Sequence, residues 1–263
     1  MHSVAKRVLT AIMPSPVRQA LGKLYCRLAG RTNPTAALRF PSQEASFLTL
    51  LKLGWSPSYV VDVGAYEGQW TSMIRTIFPD ARVLMIEPQE HKREVLAAAC
   101  AKLGPGVSYE NALLGASDGA CVPFVEMETG SSVFEETSPY ERNVVNKTLR
   151  TLDNVLLAQS PFQRPDCLKL DTQGYELEVL RGASEILPSV QAILLETSLV
   201  ATNAGCPLIG EVMAFLDAQH FALFDFCSQI RRKDGVLWQT DLLFIRRDGA
   251  IRVPNTLTHE NWF

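Results

Sequence analysis

No acidic residue occurs before Glu44, no C-x-x-C pair is present among the six cysteines, and no apolar run approaches the ~18 residues that a membrane span requires. Each absence removes a class of protein. Without a span, the chain reads as soluble. The longest apolar stretch near the start, Val8 to Met13, is cut short by Pro14 and Arg18, so an ordinary secretion signal is not expected. Cys26, Cys100, Cys121, Cys167, Cys206 and Cys227 are scattered, several of them inside apolar runs where a thiol behaves as a small hydrophobe. Reduced thiols in a cytoplasm are the expected state. Internal repeats and low-complexity tracts are absent as well.

What is present is a 263-residue chain, 47% hydrophobic and 20% charged, enough for one large core with a small appendage. Its charge is unevenly divided. Lys6, Arg7, Arg18, Lys23, Arg27, Arg31 and Arg39 precede the first carboxylate, yet the whole chain has a formal net charge of −3, so the remainder is acidic. We read residues 1–57 as a basic helical N-terminal arm and 58–263 as the working domain. The arm is expected to cover the body or a homodimer partner; docking on an anionic membrane surface or polyanionic substrate, or a targeting role, are the alternatives. A nucleic-acid partner is not expected.

Beyond the arm, the pattern alternates. Tyr59–Val63, Arg82–Glu87, Val107–Ala112, Asp166–Leu170 and Gln191–Glu196 read as short buried strands, with helices over Gly68–Phe78, Gln89–Leu103 and Tyr175–Leu187. Strand and helix in alternation imply a parallel sheet covered on both faces. Residues 115–150, with "CVPFVEM" and "GSSVFEE", read instead as an inserted hairpin overhanging the sheet's carboxyl edge. Phe221–Cys227 and Thr240–Arg247 are separated by too little chain for a crossover helix, and Asp234-Gly235 signals a turn, so the last two strands must be antiparallel. The expected fold is α/β: a doubly wound, mostly parallel seven-stranded, Rossmann-like sheet with an antiparallel final hairpin.

The first strand runs into "VVDVGAYEGQW", where Gly64 and Gly68 frame a tight turn before a helix, so that backbone can approach a ligand closely. The loop has neither the Lys-Ser/Thr of a phosphate-gripping loop nor the full G-x-G-x-x-G of a pyrophosphate binder. Glu87 ends the second strand roughly 20 residues downstream, where a carboxylate can accept both hydroxyls of a ribose. A ribose without phosphate fits S-adenosylmethionine, whose methyltransferases close their sheet with an antiparallel hairpin, whereas dinucleotide dehydrogenases normally end on a parallel strand. Asn111 and Ala112, ending the third strand, are placed to meet adenine.

"VVDVGAYEGQW", "IEP", "NALLGASDGA", "GSSVF", "TLDNVL", "LKLDTQGYELEVLRGA" and "ILLE" stand in the order and spacing of FkbM-type methyltransferases, which the chain resembles from about Val60 to Glu196. The resemblance implies a class I methyltransferase fold and O-methylation of a hydroxyl on a sugar, glycan or polyketide-type acceptor. It implies cofactor contacts at Asp62, Gly64, Ala65, Tyr66, Gly68, Glu87, Pro88, Asn111, Ala112 and Asp171. The chain departs from the family at Tyr66, where Asn is common, and at Trp70, where a small residue is usual.

Asp171 ends the fourth strand at the ligand edge, and Glu196 ends its expected neighbour, ~4.8 Å away. Two such carboxylates share a proton or hold a cation. Methyl transfer to a hydroxyl needs a base, which makes Asp171 the first assignment; a Mg²⁺-like ion bridging Asp171 and Glu196 is the second, supported by resemblance to metal-dependent macrolide-sugar methyltransferases. In a third reading both merely cap strand ends. Ser131, Ser132, Gln173 and Glu176 are substrate-side candidates, with part of Glu176 ordinary helix capping. His91 would border the adenine, while His220 reads as structural. Two rival functions share these features: a non-catalytic S-adenosylmethionine-binding or assembly protein, and a dinucleotide oxidoreductase.

Overall fold

Val60, Val61 and Val63 give the first strand the β-branched, mostly apolar character of a strand covered on both sides, and all five residues of β1 (Tyr59–Val63), Asp62 included, are buried. The computed structural model of the protein describes residues 42–254 apart from 128–129, 135–142, 202 and 204; the basic arm before residue 42 lies outside the described residues. β1 pairs in parallel with β2 (Arg82–Ile86) on one side and with β7 (Cys167–Leu170) on the other. β3 (Val107–Glu110) continues beyond β2, and β8 (Ala192–Ser198) beyond β7, both in parallel. The chain therefore leaves β1 in opposite directions, and a crevice opens at the carboxyl edge where the order reverses.

The sheet ends antiparallel, as the short connection demands. β11 (Leu237–Arg246) pairs with β8 on one side; on its other side lie β9 (Phe221–Phe226) and the two-residue β10 (Ile230–Arg231). β10 makes the sheet eight-stranded, one more than the sequence implies, because the stretch before the Asp234-Gly235 turn pairs with the start of β11.

Helices cover both faces. On one, α1 (Gln43–Lys52) and α2 (Gln69–Ile77) set Phe47, Leu50 and Ile74 against Val60, Val83 and Leu194. α1, which the sequence reading counts with the N-terminal arm, belongs to the compact unit Pro41–Phe263. α3 (Arg93–Leu103) packs Leu96 against Met85. The other face carries α4 (Leu152–Leu157), α5 (Glu176–Arg181) and α6 (Ile209–Ala218), with Leu156, Leu180 and Leu216 among its core residues. α5 is shorter than the helix expected to reach Leu187. At Gly182 the backbone passes so close to Gly115 that a Cβ would overlap its carbonyl oxygen, and the chain turns there.

A second sheet holds the insertion. β5 (Cys121–Glu126) and β6 (Asn143–Arg150) form the expected hairpin, and the short β4 (Leu113–Leu114) joins β6 in parallel. Among the described residues, no helix is long and apolar enough to cross a membrane.

Candidate active site

A cavity of about 250 Å³ lies at the carboxyl edge, where the order of strands reverses. Its floor is the turn after β1. Gly64 adopts φ 71°, and a Cβ there would overlap the carbonyl oxygen of Asp171, so only glycine lets the ends of β1 and β7 approach this closely. Tyr66 follows at φ 52°, held there as its N–H donates to Glu87 Oε2 at 2.8 Å. Gln89 N–H donates to Glu87 Oε1 at 3.0 Å. Burial raises the Glu87 carboxyl above its ordinary value, and these backbone donors oppose the shift. Glu87 is only 3% exposed, yet it lines the cavity together with Pro88 and Ala112. Asn111 stands behind this wall, its amide donating to the Glu87 carbonyl at 2.8 Å.

Under the loop lies a charge cluster that sequence reasoning missed. Lys169, 5% exposed, donates to the carbonyls of Gly64 (2.7 Å) and Val63 (3.3 Å), pairs with Asp62 at 3.0 Å and stands 3.8 Å from Asp171. Burial disfavours its charge, but Asp62 and Asp171 outweigh burial and raise its pKa. Asp62 is fully buried and also accepts from the Thr71 hydroxyl at 2.7 Å. Its carboxylate thus ties β1, α2 and β7 together behind the cavity wall, away from the space where a cofactor contact was expected. The signal was a lone lysine inside the buried strand "CLKL".

Asp171 projects into the cavity with its side chain 42% exposed. Leu170 pairs with Leu195, which sets Asp171, just past the end of β7, beside Glu196; Glu196 does not end its strand as expected, because β8 runs on to Ser198 through its pairing with β11. Between them stands Gln173, whose amide nitrogen donates to Asp171 Oδ1 at 2.9 Å and to Glu196 Oε2 at 3.0 Å. Gln239 also donates to Glu196 Oε2, at 3.0 Å. Burial, reinforced by Asp171, Glu176 and Asp241, raises the Glu196 carboxyl to about 9, so it is uncharged at neutral pH. The Gln173 amide nitrogen, a donor, occupies the place between the two carboxyls where a bridging cation would sit, and among the described residues no three His, Cys, Asp or Glu side chains are grouped to hold a metal. The pair does not fit the bridging Mg²⁺ expected of it.

Of the substrate-side candidates, Ser131 and Gln173 line the cavity beneath the insertion, with Phe124, Val133 and Tyr175. Ser132 is buried; its hydroxyl donates to the Gln173 carbonyl at 3.0 Å and fastens the insertion to the turn after β7. Glu176 turns back on that turn, accepting from Thr172 N–H (2.8 Å) and Gly174 N–H (3.2 Å). Burial raises it to about 7, and it does not reach the cavity. Gly68 caps the start of α2 at φ 82° and likewise lies outside the lining. Trp70, where the family usually has a small residue, packs edge-on against Phe47 at 5.8 Å and lines the cavity between α1 and α2. His91 is exposed and does not line the cavity.

The Methyltransferase FkbM domain model matches residues 62–223. No curated protein matches the chain. Solved structures similar to it include the O-methyltransferase TomG from Streptomyces achromogenes, in complex with S-adenosylmethionine, at 12% identity and TM-score 0.48, covering 93% of this chain and 96% of that one. The precorrin-6y C5,15-methyltransferase from Geobacter metallireducens GS-15 is 12% identical, with TM-score 0.44, covering 77% of this chain and 87% of its own. A Burkholderia thailandensis 1,6-didemethyltoxoflavin-N1-methyltransferase is 14% identical, with TM-score 0.40 and coverage of 90% and 93%.

Proposed function

The chain belongs to the FkbM methyltransferase family, and from that premise we propose that it transfers a methyl group from S-adenosylmethionine to a hydroxyl of a sugar, glycan or polyketide-type acceptor. The cavity suits that cofactor. A glycine cradle without room for a Cβ and a buried carboxylate at the end of β2 match a flat nucleoside with a ribose. Ala112 and Pro88 would flank the base, and Glu87 would accept the ribose hydroxyls.

The observation that carries the proposal is the position of Asp171, an accessible carboxylate in the cavity, steadied by Gln173 and facing the Lys169 charge. The bound cofactor supplies an electrophilic methyl group on a sulfonium, which departs as a neutral thioether. The protein's task is to orient a hydroxyl and take its proton. Asp171 Oδ1 is occupied by the Gln173 amide, which leaves Oδ2 to accept the proton as the new C–O bond forms. The Lys169 ammonium stands 3.8 Å from Oδ2, and the Glu196 carboxyl, whose pKa burial raises, adds no second negative charge. The insertion lines the acceptor side with the apolar side chains of Phe124 and Val133.

Calorimetric titration tests the reading. S-adenosylmethionine should bind at micromolar concentration in competition with S-adenosylhomocysteine, and labelled methyl should pass to a hydroxylated acceptor. Absence of binding, or binding of NAD in its place, overturns it.

A further inference from the structure

We propose that Gln43, held by Asp241, receives the amino-acid end of the cofactor; this rests on the methyl-transfer reading above. The cavity has three ends. Glu87 and Ala112 mark the first, over β2 and β3. Phe124 and Val133, from the insertion, wall the second. Gln43, Gln69 and Trp70 form the third, beside Asp171. A nucleoside seated on Glu87 directs the rest of the molecule across the Gly64 turn, because β2 lies on one side of β1 and β7, β8 and β11 lie on the other. The insertion end is the covered one, suited to the acceptor. The third end remains for the amino acid.

Its chemistry agrees. An α-amino acid at neutral pH presents a carboxylate that needs donors and an ammonium that needs acceptors. A side-chain amide offers both, with two N–H groups and a carbonyl oxygen. Gln43 Nε2 donates to Asp241 Oδ2 at 2.7 Å, which uses one N–H and fixes the plane of the amide. The backbone beneath is fixed too, since Gln43 is the first residue of α1 and the Ser42 hydroxyl caps that helix by accepting from Ala45 N–H at 3.1 Å. Gln69 adds a second amide to the same wall, and the Gln43 and Gln69 carbonyl oxygens are acceptors for the ammonium. Gln43 and Asp241 both lie outside residues 62–223, so this end of the site is supplied by parts of the chain beyond the family domain.

The test compares two ligands on the full chain by calorimetry: S-adenosylhomocysteine, and 5′-methylthioadenosine, which keeps the nucleoside and sulfur and lacks the amino acid. Wild type should bind S-adenosylhomocysteine at least about tenfold more tightly. Gln43→Ala should weaken S-adenosylhomocysteine roughly five- to twentyfold, as expected for a lost hydrogen bond to a charged group, and leave 5′-methylthioadenosine within about twofold. Asp241→Ala should act in the same direction through loss of the anchor. Equal losses for both ligands, unchanged S-adenosylhomocysteine affinity in Gln43→Ala, or equal affinities in wild type would overturn the assignment. If wild type binds neither ligand, the methyl-transfer reading falls and takes this assignment with it.

Discussion

The Gln173 amide nitrogen lies between two carboxyl groups, 2.9 Å from Asp171 Oδ1 and 3.0 Å from Glu196 Oε2. It does so from a backbone at φ 55°, a left-handed conformation that costs a non-glycine residue about 1 kcal/mol. The strained turn holds an amide between the two carboxyl groups and fixes their spacing. Gln173→Ala keeps that backbone and removes the bridge. Its kcat should fall about tenfold with cofactor affinity unchanged, as steady-state kinetics and titration would show.

Glu87 gives a second expectation. Glu87→Ala should weaken cofactor binding by ~1–3 kcal/mol, the loss of charge-assisted hydrogen bonds to the ribose. Part of the loss will come through Tyr66, whose N–H would no longer be held. Glu87→Gln keeps an acceptor for that N–H and should recover some affinity. Unchanged binding in Glu87→Ala removes Glu87 from the site.

Lys169 is expected to matter first for folding. Lys169→Met leaves Asp62 fully buried without its cation, a change that costs about 3–5 kcal/mol when one partner of a buried pair is removed. Denaturant unfolding should show this loss, and adding Asp62→Asn should restore part of it. A Lys169→Met protein as stable as wild type would contradict the buried pair.

The Glu196 carboxyl sets a pH dependence. Because folding raises it to about 9, the folded chain keeps a proton that the unfolded chain releases in the ordinary carboxylate range. The associated stability is complete in acid and is lost as pH climbs from about 4.5 toward 9. Glu196→Gln cannot ionise. Its Tm should match wild type near pH 5 and exceed it by about 2–5 °C near pH 9. Equal Tm values at both pH values would show that Glu196 ionises freely in the fold.

Much of this arrangement was legible in the sequence because strand ends obey simple rules. Apolar runs place Asp171 at a strand end and strand order makes Glu196 its neighbour, although β8 runs two residues past Glu196 to Ser198. Side-chain direction was not legible in the same way. Glu176 and Ser132 stand beside the cavity in sequence, yet both turn back to backbone groups of their own turn or its neighbour. Asp62 reads as a ligand contact until the buried Lys169 claims it, and a single lysine in four strand residues gives little warning of that. Gln43 carries no motif; it reaches the site only because Phe47 and Leu50 seat α1 against the sheet.

The most direct test of the central claim is the turnover of Asp171→Asn, measured with labelled S-adenosylmethionine on an acceptor that wild type methylates, with and without EDTA. Asn keeps the shape and the contact with Gln173 but cannot take a proton. The expected result is a fall in kcat of roughly 10²–10⁴-fold with cofactor affinity retained, and wild-type activity indifferent to EDTA. Turnover of Asp171→Asn equal to wild type, or wild-type activity abolished by EDTA and restored by Mg²⁺, would contradict Asp171 as the base.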